Sequence, residues 1–311
     1  MSIIFDKIKP WILAARPKTL FAALAPIIIG LSISFHIFNT QVNWLVAFII
    51  VITSILIQIG SNFANDAYDY IKGTDDKNIR KGPSRMAEEG LLTPESILNM
   101  MYFIFIISVI LGYYLVQIGG WPIIIIGLLG IFFAIIYTGG PFPLGYNGLG
   151  DIAVFIFFGL VATFGTVYLQ SQSIKYPFNI SDYIIEILIA SCAIGFLNTS
   201  ILVVNNLRDF ESDKLSGKNT LVVIFGERFG CYQYSTLITL SFIAFILVGI
   251  LFENYWLIGM MSLSFFLSIY LISKVFKYKI TNLNILLEKT AKFVFLNSVL
   301  FATSFYINIL T

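Results

Sequence analysis

Ile201-Leu202-Val203-Val204-Asn205-Asn206-Leu207-Arg208-Asp209-Phe210-Glu211-Ser212-Asp213 passes directly from an oily run into acid. A second stretch does the same: Ile59-Gly60-Ser61-Asn62-Phe63-Ala64-Asn65-Asp66-Ala67-Tyr68-Asp69. Placing a carboxylate against hydrocarbon costs about 2.5–3.5 kcal/mol on insertion scales, so acids at this boundary point to function.

The chain around these stretches is 58% hydrophobic and 12% charged, with a mean hydropathy of +0.88. A soluble domain carries roughly a quarter of its residues charged, which excludes that class. A helix needs about 20 apolar residues to cross roughly 30 Å of hydrocarbon. Nine such spans are expected, near 19–38, 43–64, 97–117, 121–137, 151–170, 182–206, 231–251, 255–273 and 291–310. The expected fold is therefore all-α, a polytopic bundle of nine transmembrane helices forming one domain over 1–311. Continuous runs of this length do not fit a transmembrane barrel, which shows alternating segments of about ten residues.

Every basic residue except Lys175 falls before span one, after span two, after span six, or between span eight and the first turn of span nine. Short cytoplasmic loops collect Lys and Arg, so this places the amino terminus and both acid stretches inside and the carboxyl terminus outside. A multi-pass protein of the cell's inner membrane is expected. Met1–Arg16 mixes charges with aromatics and does not read as a cleavable signal. The net charge of +2 suggests no nucleic acid, and no obligate protein partner is evident.

Two loops are rich in Gly and charge: 70–96 and 207–230. Each follows a related pattern, Asn65-x3-Asp69-x3-Gly73 and Asn205-x3-Asp209-x3-Asp213-x3-Gly217. The two patterns lie four spans apart, consistent with parallel four-helix repeats at about 16–140 and 150–290 plus a ninth helix. A third segment, Tyr137 to Asp151, is crowded with Gly and Pro and cannot continue a helix. It fits either a connecting loop or the lining of a site.

On a helix, Asn62, Asn65, Asp66 and Asp69 share one face, and Asn198, Asn205, Asp209 and Asp213 share another. Carboxylates about 5 Å apart repel by roughly 3 kcal/mol at an effective dielectric of about 20, so such stripes need a cation or protonation. Magnesium suits hard oxygen ligands and completes its shell with phosphate oxygens. Facing stripes with Arg80, Lys81, Arg85 and Lys218 nearby make a diphosphate-ionising site. A cation-coupled transporter would instead carry its acids near the bilayer midplane, on broken helices.

The paired stripes resemble the aspartate-rich motifs of the UbiA superfamily of intramembrane prenyltransferases. The carrying strings are Asn62-x2-Asn65-Asp66-x2-Asp69-x3-Gly73-x-Asp75, Arg80-x-Gly82-Pro83-x-Arg85, and Asn205-Asn206-x-Arg208-Asp209-x3-Asp213-x3-Gly217-Lys218-x-Thr220-Leu221. The details are similar to the superfamily's dihydroxynaphthoate-prenylating branch. The resemblance implies Mg²⁺ ligands at Asn65, Asp66, Asp69, Asp209 and Asp213, of which the four aspartates are catalytic. It implies diphosphate contacts from Arg80, Arg85, Lys218, Asn205 and Asn62. The family's first motif has another Asp where this chain has Gly73, leaving Asp75 or Asp76 as the substitute.

For the acceptor, Arg16, Tyr137, Tyr146 and Asp151 are implied, with Asp151 a candidate proton acceptor. The 4-hydroxybenzoate branch carries Tyr-Pro-Lys-Arg where this chain reads Tyr137-Thr138-Gly139-Gly140. The implied reaction joins a polyprenyl diphosphate to 1,4-dihydroxy-2-naphthoate, releasing CO₂ and diphosphate and giving a demethylmenaquinol. Another acceptor within the superfamily is the alternative. The implied partners are these two substrates and membrane lipid, the donor entering sideways near spans one and nine. His36, at the far end of span one, reads as a packed residue, and Cys192 and Cys231 as inert thiols. Glu88 and Glu89 read as solvated loop charges.

Overall fold

The computed structural model describes the backbone of residues 2–74, 85–174, 180–277 and 282–311, and side chains for these except 2–6 and 180. Asp75, Asp76, Arg80 and Lys81 lie outside the described residues.

Helix α1 (Ser2–Ala15) leads through a left-handed Arg16 and a 3₁₀ turn (Pro17–Thr19) into α2 (Leu20–Ile37). The rest of the first half is α3 (Trp44–Ile71), α4 (Pro94–Gly119) and α5 (Trp121–Ile136). The second half opens with α6 (Gly150–Phe155), which passes through a π stretch (Ile156–Val161) into α7 (Ala162–Ile174). Then come α8 (Ile184–Arg208), the short α9 (Phe210–Leu215) and α10 (Leu221–Phe225), and α11 (Glu227–Leu251), α12 (Tyr255–Lys277) and α13 (Leu283–Leu310).

Eight of these continuous helical segments are long and apolar enough to span a bilayer, and α5 is a shorter apolar helix. Together they match the nine expected spans. With 16 residues, α5 is roughly 24 Å long at about 1.5 Å per residue, short of the hydrocarbon thickness. The protein is an integral membrane protein. Its exposed side chains include Phe48, Ile110, Leu128, Leu263 and Phe266, an apolar surface suited to lipid. Trp44, Trp121, Tyr255 and Trp256 begin α3, α5 and α12 at one end of the bundle, where amphipathic rings suit a membrane interface.

The core is divided. One cluster, with Ile194, Leu197, Phe245, Phe293 and Phe301, joins α2 and α7 to α8, α11, α12 and α13. Another, with Phe63, Ala67, Ile97 and Met101, joins α1, α3, α4 and α5. Inside the packed halves, hydroxyls and amides bond internally: Tyr234 shares a hydrogen bond with Thr290, and Ser264 donates to Asn297 Oδ1. Hydrocarbon offers no partner for them. Between the halves lies a cavity of about 1050 Å³, with α2, α3, α4, α5, the α6–α7 segment, α8 and α13 all contributing.

Candidate functional site

Helix α3 extends seven residues past the expected end of span two and carries the whole first stripe, ending in a turn built on Gly73. Gly73 has φ 69°, the left-handed region that a side chain disfavours, and Thr74 N–H returns to Asp69 O at 3.0 Å. The second stripe ends the same way: Gly217 has φ 72° and Lys218 N–H returns to Asp213 O at 2.8 Å. Gly73 thus stops a helix just beyond Asp69, as Gly217 does beyond Asp213.

The polar end of the cavity collects Asn65, Asp69, Arg85, Asn205, Asp209, Asp213 and Lys218, with Arg16, Asn62 and Tyr137 also on its wall. Asp69 is buried. It receives Arg85 Nη2 at 2.6 Å on one oxygen and the Tyr146 hydroxyl at 2.7 Å on the other. Asp209 is held by the fork of its neighbour Arg208, Nη2 to Oδ2 at 2.5 Å and Nε to Oδ1 at 2.8 Å. The same guanidinium donates to Asn205 Oδ1 at 2.7 Å and Asn284 Oδ1 at 3.3 Å, tying α8 to α13. Arg208 was visible in the sequence only as part of the motif string. Its fork geometry is what gives it a role.

Asp213 Oδ1 lies 3.6 Å from Lys218 Nζ, while its buried Oδ2 has no hydrogen-bond partner among the described residues. This carboxyl is held up at about 6, chiefly by burial, with Lys218 pulling it down and Asp209 and Asp69 pushing it up. Asp69 from α3 and Asp209 and Asp213 from α8–α9 thus line the same end of the cavity. Crowded carboxylates with an unpaired oxygen fit a cation with hard ligands. Among the described residues, no group of three acidic or other metal-binding side chains closes into a cage. Magnesium does not require one, since it typically takes one or two carboxylates and leaves positions for water and phosphate.

Other expected residues are placed differently. Asp66 is 1% exposed and does not line the cavity; its oxygens accept the Met86 and Ala87 N–H groups, each at 3.1 Å. It anchors the turn that begins at Arg85, where the sequence reading had it facing a metal. Asp151 accepts from Gln233 Nε2 at 2.9 Å and also lies off the cavity wall. Tyr146 is likewise off the wall and acts on Asp69; Lys72 and Lys218 sit over its ring at 4.7 and 5.4 Å. Asn62 donates to Ala15 O at 2.8 Å and Thr19 Oγ1 at 2.9 Å, fixing both sides of the Arg16 break. Arg16 at φ 50° is a strained position that places its residue at the cavity. Asn65 Oδ1 accepts from Thr138 Oγ1 at 2.9 Å, and Lys72 Nζ donates to Thr138 O, binding the Gly-Pro loop to α3. Tyr137 fits its place because Gly145 and Gly150 leave room: a Cβ at Gly150 would stand 2.9 Å from its hydroxyl.

A divided helical bundle with an acidic, cation-lined head above an oily chamber is the architecture of a membrane enzyme handling a lipid with a charged headgroup. The chain belongs to the UbiA prenyltransferase family, whose pattern matches residues 23–299. It is 36% identical over 250 residues to the 1,4-dihydroxy-2-naphthoate octaprenyltransferase of Haemophilus influenzae, covering 78% of each chain. It is 37% identical over 228 residues to the Escherichia coli enzyme of the same name, covering 71% of this chain and 70% of that one. A UbiA homolog from Archaeoglobus fulgidus bound to GPP and Mg²⁺ shares the fold, with a TM-score of 0.67 at 14% identity, covering 97% of this chain and 100% of that one.

Proposed function

We propose that this protein is a 1,4-dihydroxy-2-naphthoate polyprenyltransferase of menaquinone synthesis. It moves a polyprenyl group from its diphosphate to the naphthoate ring, releasing CO₂ and diphosphate and giving a demethylmenaquinol. One observation carries the reading: facing carboxylates and cations stand at the head of a cavity of about 1050 Å³ whose remaining wall is largely apolar. The likeness to enzymes of that name supports the choice of acceptor.

Asp69, Asp209, Asp213 and Asn65 would hold Mg²⁺. Bound there, it would draw charge from the diphosphate and so ease cleavage of the allylic C–O bond. Arg208 and Arg85 fix Asp209 and Asp69 in place, so the ligands need little reorganisation when the donor arrives. Lys218 and Arg16 add positive charge on the wall for the headgroup. Ile57, Ile131, Phe133 and Phe157 exclude water from the allylic carbon. The ring attacks through the carbon bearing its carboxylate, so CO₂ leaves where a proton otherwise would. No base is needed at that carbon, which agrees with Asp151 being engaged by Gln233. Basic loop charges favour the acid end on the cytoplasmic face of the inner membrane, with the amino terminus inside and the carboxyl terminus outside. The chain is read as one domain of two four-helix units plus α13; α3 with α4 and α8 with α11, equivalent pairs in that scheme, are its two most extensive helix contacts.

The test is direct. Purified protein given Mg²⁺, dihydroxynaphthoate and farnesyl or longer diphosphates should yield prenylated product and CO₂ by mass spectrometry. No product, or equal product from 4-hydroxybenzoate, overturns the assignment.

A further inference from the structure

Asn198 lies on α8, seven residues before Asn205 and so about 10 Å deeper in the bundle. It lines the cavity and is 2% exposed. Gly159 and Gly195 bring the π stretch against α8 here: a Cβ at Gly159 would stand 2.6 Å from Gly195 Cα. Within that stretch, Ala162 N–H bonds Gly159 O and Phe157 O, bypassing Phe158 O. Asn198 Nδ2 takes up Phe158 O at 2.9 Å and also donates to Ala22 O at 3.2 Å on α2. Both partners are carbonyls, which only accept, so the amide cannot be turned over. Its Oδ1 is left as a buried acceptor with no partner among the described residues. Buried polar atoms are almost always satisfied, and one on a cavity wall asks for a ligand donor.

We propose that Asn198 Oδ1 accepts a hydrogen bond from a ring hydroxyl of the aromatic acceptor, setting which face and edge of the ring meet the donor. The inference rests on the function proposed above. Ionised diphosphate offers only acceptor oxygens and the polyprenyl chain offers no polar atom. The hydroxyls of the dihydroxy acid are the only donors either substrate brings to this depth. The π stretch and the Gly159–Gly195 contact are then the scaffold that aims one amide oxygen.

The experiment measures competitive inhibition constants of 1,4-dihydroxy-2-naphthoate analogues lacking one or the other hydroxyl, against wild type, Asn198→Leu and Asn198→Gln. Wild type should bind one mono-hydroxy acid about tenfold or more weakly than the other, a single buried hydrogen bond being at stake. Asn198→Leu should lose that discrimination and raise KM for the acceptor while leaving KM for the donor in place. Asn198→Gln should restore part of it. Unchanged discrimination in Asn198→Leu, as when Oδ1 bonds only a water, overturns the proposal. Parallel rises in donor and acceptor KM, as for a purely structural tether, overturn it too. Wild type that makes no product from dihydroxynaphthoate defeats the functional assignment instead; calorimetric binding of the two mono-hydroxy acids to wild type and Asn198→Leu needs no turnover and keeps that result separate.

Discussion

At the end of α3, Asp69 is paired with Arg85, 16 residues further along the chain, and steadied by Tyr146 from a third segment. At the end of α8, Asp209 is paired with its own neighbour Arg208, and Asp213 keeps an oxygen unpaired among the described residues. The two stripes stop at equivalent glycines, yet the first is neutralised by folding and the second by adjacency. The first therefore depends on the turn after Arg85 being in place, whereas the second is assembled wherever α8 is helical. The open oxygen belongs to the second stripe, which makes Asp213 the place where an incoming cation meets least competition.

Removing that oxygen should have the largest effect. Asp213→Ala and Asp209→Ala should each lower kcat by about 10²–10³-fold, the scale of losing one charge-stabilising group, with the variants still inserted and helical by circular dichroism. Activity near wild type in both would break the metal reading of the second stripe. Next, Arg208→Lys removes a fork that holds Asp209, Asn205 and Asn284 together and should cost about ten- to a hundredfold in kcat/KM. Arg85→Lys should cost less, because Tyr146 still holds Asp69; the reverse order would overturn the contrast between adjacency and folding.

Asp66→Asn sharpens the comparison further. A loop anchor predicts a severalfold rise in donor KM, as the Arg85 turn loosens, with the half-saturating Mg²⁺ concentration unchanged. A Mg²⁺ requirement that rises as much as in Asp69→Asn would return Asp66 to the metal. The smallest effect belongs to Gly73→Ala, which forces a side chain into the left-handed region at a cost of about 1–2 kcal/mol. It should lower the thermal midpoint while sparing kcat, since among the described residues nothing lies within 4 Å of the added carbon.

The spans were legible because the bilayer demands long apolar runs, and α3 and α8 carry their stripes where the 3.6-residue spacing put them. Helix spacing could not separate Asp66 from Asp69: the two are only three residues apart, and which one faces the cavity depends on the partner waiting behind Asp66. The backbone N–H groups of Met86 and Ala87 are that partner, and no sequence pattern announces them. Tyr146 was expected at the acceptor and is found bracing Asp69, because the Gly-Pro loop folds its ring back over α3. The π stretch left no trace that composition could reveal. A hydrogen-bond register slips there within an unremarkable apolar run, and Asn198 takes its meaning from that slip.

The Gly73 stop has one more consequence. By ending α3 a few residues past Asp69, it sets the negative end of the helix's macrodipole beside that acid. Helices α5 and α8 also finish at this end. Each such terminus favours a nearby cation by about 0.3–1 kcal/mol and disfavours the carboxylates already there. The backbone itself thus deepens the demand for positive charge, and an anionic headgroup is welcome at this mouth chiefly when it arrives already wrapped in metal.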